Sequence, residues 1–274
     1  MVEITCAKVH QGALAFARGA LLYVWQPGGE VWQSTQHTAP IRAIAFTDQH
    51  WVSAGDDKRI LFHSVAKDLA VQQEILHHKK ITAMDFLAGL LVYADKFGEV
   101  WSIDTARLTS GPASDQPCVT FAMGHQSTIL SLQLADHQLL TVDSEQKLKV
   151  SSFPQMYELQ RVLMGHTAPI CSGLLDQGTV FSLDTEGRVV RWRDLEVAAE
   201  TKVQGTLQLF PTRDSLLCVS SSWVALLEKD TLRAKKEVLL PCSPAWASVA
   251  DDLVYLISSD GQVTTHHLSK LAGD

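Results

Sequence analysis

The stretch GHTAPICSGLLDQGTVFSLDTEGRVVRW, residues 165–192, decides the fold. It opens on Gly-His, passes through short apolar segments and a polar hairpin with an aspartate, and closes on Trp192. Its start recurs upstream as His37-Thr-Ala-Pro-Ile, His78-Lys-Lys-Ile and Gly-His125-Gln-Ser-Thr-Ile, and the four histidines are 41, 47 and 41 residues apart. A period near forty residues indicates an architecture of repeated supersecondary units.

The units are predicted to consist of strands. Apolar residues alternate with others, as at Leu130, Leu132 and Leu134, and long helical periodicity is missing. Period and strand order match the WD-repeat blade, a four-stranded unit of a β-propeller. We therefore predict an all-β chain that forms one seven-bladed WD-repeat β-propeller of about 39 residues per blade. The predicted blades span residues 3–31, 37–66, 78–105, 125–154, 166–196, 203–232 and 238–270.

Two further features follow from this architecture. The ring is expected to close by pairing of the segment near Val2–Thr5 with the last blade, because that blade would otherwise expose a sheet edge. Gly111, Pro112 and Pro117 predict one longer surface loop between the third and fourth blades.

Each blade motif offers a buried polar chain: an initial His, a hydroxyl on the second strand, a carboxylate in the hairpin and a Trp on the third strand. Such a chain satisfies polar groups that would be costly to bury alone. The best match is His166, Ser182, Glu186 and Trp192. The partial matches are His37, Ser53 and Asp57, with His63 at the Trp position, and His125, Thr141 and Glu145, with Ser151 at the Trp position.

Composition limits the class of protein. The 274 residues carry a net charge of −7 and 46% apolar content, which predict a folded and soluble chain that does not coat nucleic acid. No apolar run is long enough for a membrane span, and the start does not resemble a secretory signal. Five widely spaced cysteines favour neither a disulfide framework nor a zinc site, so we expect a reducing, intracellular compartment.

The sequence contains no catalytic signature that we can place. A nucleophile elbow, a phosphate-binding loop, a metalloprotease helix and a cofactor loop that opens a helix are all missing. His77-His78 and His266-His267 are adjacent pairs, but neighbours on a strand point to opposite faces, so we predict no metal ion for them. A metal site stays the alternative, and structural histidines are the favoured interpretation.

Lys147 and Lys149 are unusual in an acidic chain. They flank Leu148 in the stretch LLTVDSEQKLKVSSFP, residues 139–154, and a strand would point both to the same side. Taken alone, they are expected to be solvated lysines whose apolar neighbours face the core.

The middle of the chain resembles one WD-repeat family. The resemblance covers about residues 78–192, and its most specific parts are Asp95-Lys96-x-Gly98-x-Val100 and the Lys-x-Lys-Val-Ser-x-x-Pro series that begins at Lys147. These segments are similar to the non-catalytic subunit of the eukaryotic tRNA (guanine-N7-)-methyltransferase. Phe97 departs from the small residue that is usual in the Asp-Lys-x-Gly turn, and a long charged tail is missing.

The resemblance implies a non-enzymatic subunit that forms a heterodimer with a separate catalytic methyltransferase and stabilises it. The partner would bind S-adenosylmethionine and methylate a guanine in the tRNA variable loop, so this chain would need no cofactor and would meet tRNA mainly through its partner. Lys147, Lys149, Asp95 and Lys96 are the implied partner-binding residues. A nuclear location is implied, with cytoplasmic protein left open. The alternatives are a WD-repeat scaffold of another intracellular complex and, least favoured, a propeller enzyme.

Overall fold

The computed structural model describes residues 3–108, 119–135, 137–240, 243–250 and 252–269. Within these residues the chain forms 27 strands and one short 3-10 helix, Thr105–Arg107. The strands pair antiparallel in seven sheets, which are the seven blades of a β-propeller. The predicted fold class is confirmed.

Blades 1 to 4 are four-stranded sheets. Blade 1 contains β1 (Ile4–His10), β2 (Ala13–Arg18), β3 (Leu21–Trp25) and β4 (Val31–Ser34). Blade 2 contains β5 (Ile41–Phe46), β6 (Trp51–Gly55), β7 (Arg59–His63) and β8 (Val71–Leu76). Blade 3 contains β9 (Ile81–Leu87), β10 (Leu90–Asp95), β11 (Glu99–Asp104) and β12 (Val119–Gly124). Blade 4 contains β13 (Ile129–Ala135), β14 (Gln138–Asp143), β15 (Leu148–Ser152) and β16 (Leu159–Leu163).

Blades 5 and 6 repeat this order, and blade 7 is three-stranded in the described residues. Blade 5 contains β17 (Ile170–Asp176), β18 (Thr179–Asp184), β19 (Arg188–Arg193) and β20 (Glu196–Lys202). Blade 6 contains β21 (Thr206–Pro211), β22 (Ser215–Ser220), β23 (Trp223–Glu228) and β24 (Ala234–Leu239). Blade 7 contains β25 (Trp246–Ala250), β26 (Leu253–Ile257) and β27 (Val263–His267). The fourth strands of blades 2, 3, 4 and 6 lie wholly beyond the predicted segments, and those of blades 1 and 5 begin at the last predicted residue.

In blades 3 and 5 the hairpin between the second and third strands contains a glycine. Gly98 and Gly187 adopt φ angles of 85° and 82°, a left-handed conformation that suits a residue without a side chain. A Cβ atom at Gly98 would lie 2.3 Å from the Ser127 carbonyl oxygen, and one at Gly187 would lie 2.3 Å from that of Val203. Each glycine therefore lets its hairpin pack directly against the next loop.

The first strands of the seven blades form the inner ring. β1, β5, β9, β13, β17, β21 and β25 contact one another in this order, and β1 also contacts β25, which closes the circle. They line a central channel with a volume of about 690 Å³.

The hydrophobic core lies between blades. Seven clusters of buried side chains each join two neighbouring blades, one cluster for every junction of the ring. For example, Val142 and Leu148 of blade 4 share a cluster with Val190 and Trp192 of blade 5. Because burial of apolar area is the main stabilising term, each blade depends on both neighbours.

The predicted closure of the ring is wrong where the structure describes it. Ile4 pairs with Arg18 in blade 1, and no strand of the described residues pairs with the outer edge of β27. Closure instead uses side chains: Ile4 and Phe16 share a cluster with Tyr255 and Ile257. Val2 lies outside the described residues.

The structure bears on the predicted long loop and on the absence of a membrane span. The loop predicted around Pro112 and Pro117 falls in residues 109–118, outside the described residues, and β11 and β12 on either side of it both belong to blade 3. Among the described residues, we find no helix with the length and apolarity that a bilayer crossing requires.

Candidate protein interface

The hairpins between second and third strands lie at one end of the propeller, beside the loops that lead into the first strands. Backbone hydrogen bonds join the two sets: Asp56 N–H donates to Pro40 O, Lys96 N–H to Lys80 O, and Thr185 N–H to Pro169 O, each at 2.9 Å. We call this end of blades 2 to 5 the hairpin face. It comprises the turns 56–58, 95–98, 143–147 and 184–187 and the loops 37–40, 77–80, 125–128 and 166–169.

The polar chain of blade 5 is complete. His166 contacts Ser182 Oγ through Nε2 at 2.7 Å, and Trp192 Nε1–H donates to the same oxygen at 2.8 Å. The carboxylate is Asp184, whose Oδ2 lies 2.8 Å from His166 Nδ1. Glu186 was predicted for this role, and it is instead exposed at the surface of the turn.

Blade 4 requires the same correction. His125 contacts Thr141 at 2.7 Å and Asp143 at 3.0 Å, whereas the predicted Glu145 is exposed. The reason is the geometry of the strand end. Asp143 is the last residue of β14, where its other oxygen accepts backbone N–H bonds from Glu145 and Lys147 at 2.9 and 3.0 Å. In blade 4 the Asp143 carboxylate thus caps the turn and reaches the histidine, whereas the Glu145 side chain lies at the surface.

Blade 2 places its carboxylate later in the turn. His37 contacts Asp57 and Ser53, each at 2.7 Å, and Ser53 also contacts His63 at 2.7 Å, so these predicted residues lie together. Gly55 occupies the strand end, where a Cβ atom would lie 2.2 Å from Pro40 O. No side chain fits there, and the carboxylate comes from Asp57.

Blade 3 differs from its sequence interpretation in two ways. His77, and not the predicted His78, occupies the histidine position, with its Nε2 3.3 Å from Asp95 Oδ2. Asp95 was predicted to bind a partner, yet its side chain is fully buried and accepts backbone N–H bonds from Phe97 and Glu99 at 2.8 and 3.2 Å. It organises the turn and cannot meet a partner directly.

Lys147 lies on the hairpin face and Lys149 lies beside it on β15, and the two lysines have different surroundings. Lys147 Nζ donates to Glu145 Oε2 at 2.9 Å, and this bond raises the pKa of the lysine. Lys149 Nζ donates to the Gly124 carbonyl of blade 3 at 3.1 Å, and burial lowers its pKa. Leu148 between them is buried, so the predicted alternation is present.

Lys96 is exposed beside an exposed aromatic ring. The Phe97 side chain is 61% exposed and lies at the tip of the blade 3 hairpin. Lys79 Nζ is 4.7 Å from the centre of this ring, a cation–π geometry. An aromatic ring held out to solvent among cations is a feature of binding surfaces, where aromatic anchors carry much of the affinity.

Other exposed apolar side chains adjoin the hairpin face and were not predicted. Leu76 and Met164 are 75% and 64% exposed at the ends of the fourth strands of blades 2 and 4, and Phe121 is 52% exposed on β12. Strand alternation predicts which side of a sheet a residue occupies, but not whether a neighbour covers it. The hairpin face of blades 2 to 4 thus combines apolar side chains with lysines, which suits protein binding.

Several other groups that could carry chemistry have structural surroundings. Burial raises the thiol pKa of Cys6 to about 12, so this thiol is not a ready nucleophile. Burial also lowers the pKa values of His37, His125 and His166, which keeps these histidines in their neutral, hydrogen-bonded form at neutral pH.

The seven antiparallel sheets define the class: the chain is a seven-bladed β-propeller, with His–hydroxyl–Asp chains of the WD-repeat kind in blades 2, 4 and 5. No protein-family model matches it. Its curated relatives carry the name tRNA (guanine-N(7)-)-methyltransferase non-catalytic subunit. They include wdr4 of Dictyostelium discoideum, 24% identical over 60% of this chain and 39% of the relative. The relative from Debaryomyces hansenii, TRM82, is 34% identical over 28% of this chain and 17% of its own length.

A third relative, TRM82 of Saccharomyces cerevisiae, is 28% identical over 44% of this chain and 29% of its own length. The matched region thus spans well under half of these curated relatives. Among solved structures, the designed protein Ika8 superimposes with a TM-score of 0.72 at 17% identity, covering 96% of this chain and 83% of the other. A chain of the Mitotic Checkpoint Complex gives 0.77 at 10% identity, covering 93% and 83%. These structures support the fold alone.

Proposed function

We propose that this chain is the non-catalytic subunit of a tRNA (guanine-N7)-methyltransferase. The observation that carries the proposal is its similarity to several relatives that bear this name, from an amoeba and from yeasts. In this role the chain binds the catalytic subunit as a heterodimer and stabilises it for 7-methylguanosine formation in the tRNA variable loop.

The hairpin face of blades 2 to 4 is the proposed contact with that subunit. Its support is chemical: the exposed Phe97 ring offers apolar area at the centre, and Lys96, Lys147 and Lys149 offer positive charge around it. A partner surface with an apolar patch among carboxylates would be complementary. Asp95 and Lys79 hold the blade 3 turn and its ring in position.

The division of labour follows from the same proposal. S-adenosylmethionine and the chemistry belong to the catalytic subunit, and tRNA is held mainly by that subunit, since the net charge of −7 gives this chain little general attraction for RNA. A nuclear location accompanies the proposed role.

Reconstitution tests the proposal. The chain is to be co-expressed with the catalytic methyltransferase subunit of the same organism, and methyl transfer from labelled S-adenosylmethionine to tRNA is to be measured with either protein alone and with both. We expect a 1:1 complex whose activity exceeds that of the catalytic subunit alone, and no methyl transfer by this chain alone. A chain that neither co-purifies with the methyltransferase nor changes its activity would rule the function out and favour a scaffold in another complex.

A further inference from the structure

Blade 3 carries a cluster of three metal-binding side chains that the proposed function does not use. Candidate ligand atoms of His77, His78 and Asp95 all lie within 4.8 Å of one another. On a strand, two neighbouring histidines would point to opposite faces. Instead β8 ends at Leu76, both histidines lie in the following loop, and their rings are 4.2 Å apart.

His77 is turned relative to its counterparts in the other blades. In blades 2, 4 and 5 the histidine Nδ1 meets the aspartate at 2.7–3.0 Å, and Nε2 meets a hydroxyl at 2.7 Å. In blade 3 Nε2 of His77 faces Asp95 Oδ2 at 3.3 Å, and Nδ1 faces the Tyr93 hydroxyl at 3.3 Å. Both contacts are longer than a well-formed hydrogen bond of this kind.

The longer distance suits a shared ion. Zn²⁺ binds nitrogen and oxygen ligands at about 2.0–2.1 Å in a tetrahedral arrangement, so two of its ligand atoms lie about 3.3 Å apart. The observed separation of His77 Nε2 and Asp95 Oδ2 is 3.3 Å. His77 Nε2 and Asp95 Oδ2 are therefore already about as far apart as two ligands of one zinc ion.

The groups behind these ligands hold them in place. With Nε2 of His77 on a metal ion, its Nδ1–H donates to the Tyr93 hydroxyl, the kind of support that orients most metal-binding histidines. The Oδ1 atom of Asp95 is occupied by the Phe97 and Glu99 amides, which leaves Oδ2 for the ion. The Asp95 and His77 side chains are 0% and 6% exposed, so they form the fixed part of the site.

His78 would supply the third ligand from the solvent side. It is exposed, and its imidazole contacts the rings of His77 and Trp101 but forms no hydrogen bond or ion pair in the described part of the chain. No hydrogen bond of this ring in the described residues has to break for one of its nitrogens to turn toward the ion. The fourth position faces solvent and would hold water.

Lys79 opposes the ion. Its Nζ lies 3.9 Å from Asp95 Oδ2, where a positive charge disfavours a nearby cation. The same amine donates to Glu99 Oε2 at 2.8 Å, a bond that involves none of the proposed ligand atoms. Lys79 should therefore weaken metal binding without preventing it. Replacing Lys79 with a neutral residue should increase the affinity for the ion.

We propose that His77, His78 and Asp95 form a binding site for a zinc-like transition-metal ion on the hairpin face, with water as the fourth ligand. The test is isothermal titration of untagged full-length protein with ZnCl₂. One ion per chain is expected. His78→Ala should weaken Zn²⁺ binding at least about 10-fold, and Lys79→Gln should strengthen it several-fold. Circular dichroism checks that each variant is folded; His78 is exposed, so its loss leaves the fold intact.

The second histidine pair gives the matched control. His266 and His267 are neighbours on β27, where successive side chains point to opposite faces, so His267→Ala should bind Zn²⁺ as the unmodified chain does. Unchanged affinity in His78→Ala, or an equal loss in His267→Ala, would overturn the site. Asp95→Asn tests the carboxylate ligand. If this variant is folded and binds Zn²⁺ with unchanged affinity, Asp95 is not a ligand and the proposed site is wrong.

Discussion

Lys8 Nζ lies 2.8 Å from Asp85 Oδ1 inside the central channel and joins the first strand of blade 1 to that of blade 3. The second oxygen of Asp85 accepts the backbone N–H of Leu134 in blade 4 at 2.9 Å. One carboxylate therefore connects three blades of the inner ring. The two residues are 77 positions apart in the chain, and no local pattern marks either.

Replacing Asp85 should destabilise the ring more than replacing its cation. Asp85→Ala leaves the Leu134 N–H without an acceptor in a buried position, which costs about 1–3 kcal/mol. Lys8→Met should cost less than about 1 kcal/mol, because the Lys8 side chain is 43% exposed. Asp85→Asn keeps an acceptor and should fall between them. Urea denaturation measures the three values, and equal losses would contradict this order.

Asp184 and Glu186 should differ sharply although only two residues separate them. Asp184→Ala removes the partner of His166 and of two backbone amides, so we expect a loss of about 2–4 kcal/mol in the free energy of unfolding. Glu186→Ala should change it by less than about 0.5 kcal/mol. Thermal and chemical denaturation of both variants checks this. A larger loss for Glu186→Ala would restore the assignment made from the sequence.

Stability should fall as the pH is lowered from 7 to 5. Burial lowers the pKa of His63 to about 4 in the folded chain, whereas an unfolded histidine titrates near 6.5. The unfolded chain therefore binds the proton first, and the contribution of neutral His63 is lost progressively as the pH falls from 6.5 through 4. Between pH 7 and 5 this amounts to about 2 kcal/mol.

Two variants isolate this effect. His63→Gln should flatten the dependence of unfolding free energy on pH by about the same 2 kcal/mol. His267→Gln, on the exposed third strand of blade 7, should keep the original slope. An unchanged slope in His63→Gln would show that other groups carry the acid sensitivity.

Charge reversal tests the lysines of the proposed interface. Lys147→Glu combined with Lys149→Glu should weaken binding of the methyltransferase subunit roughly 10-fold or more, because attraction to partner carboxylates becomes repulsion. The fold should be retained. Lys235→Glu with Lys236→Glu on β24 of blade 6 makes the same change in net charge away from the hairpin face and should leave binding intact. Equal affinities of the two double variants would remove the lysines from the interface.

Phe97 provides an independent test of the same surface. Phe97→Ala should leave the melting temperature nearly unchanged, because its ring is 61% exposed, and should weaken partner binding about 5-fold or more. Tyr157→Ala is the control, since Tyr157 is 73% exposed in the loop between β15 and β16, outside the hairpin face. Binding by surface plasmon resonance compares the two. Loss in the tyrosine variant alone would move the interface to the opposite end of the propeller.

The sequence by itself determined the repeat. The period between His125 and His166, the alternation around Leu148 and the hydroxyls at Ser53, Thr141 and Ser182 follow from local rules of strand and turn formation. Such rules act over a few residues, so they fixed the fold class, the seven blades and most members of the polar chains.

Only the tertiary structure decided which groups meet. Asp184 contacts His166, whereas the sequence pointed to Glu186. The reason is that the position of the strand end, and not the residue type, determines which carboxylate reaches His166. Likewise, the cluster of His77, His78 and Asp95 forms because β8 ends at Leu76 and the loop folds back onto the next hairpin. The exposure of Phe97 and the contact between Lys8 and Asp85 depend on how the blades pack against one another. Such packing brings together residues that are far apart in the chain, and local sequence patterns do not extend over such distances.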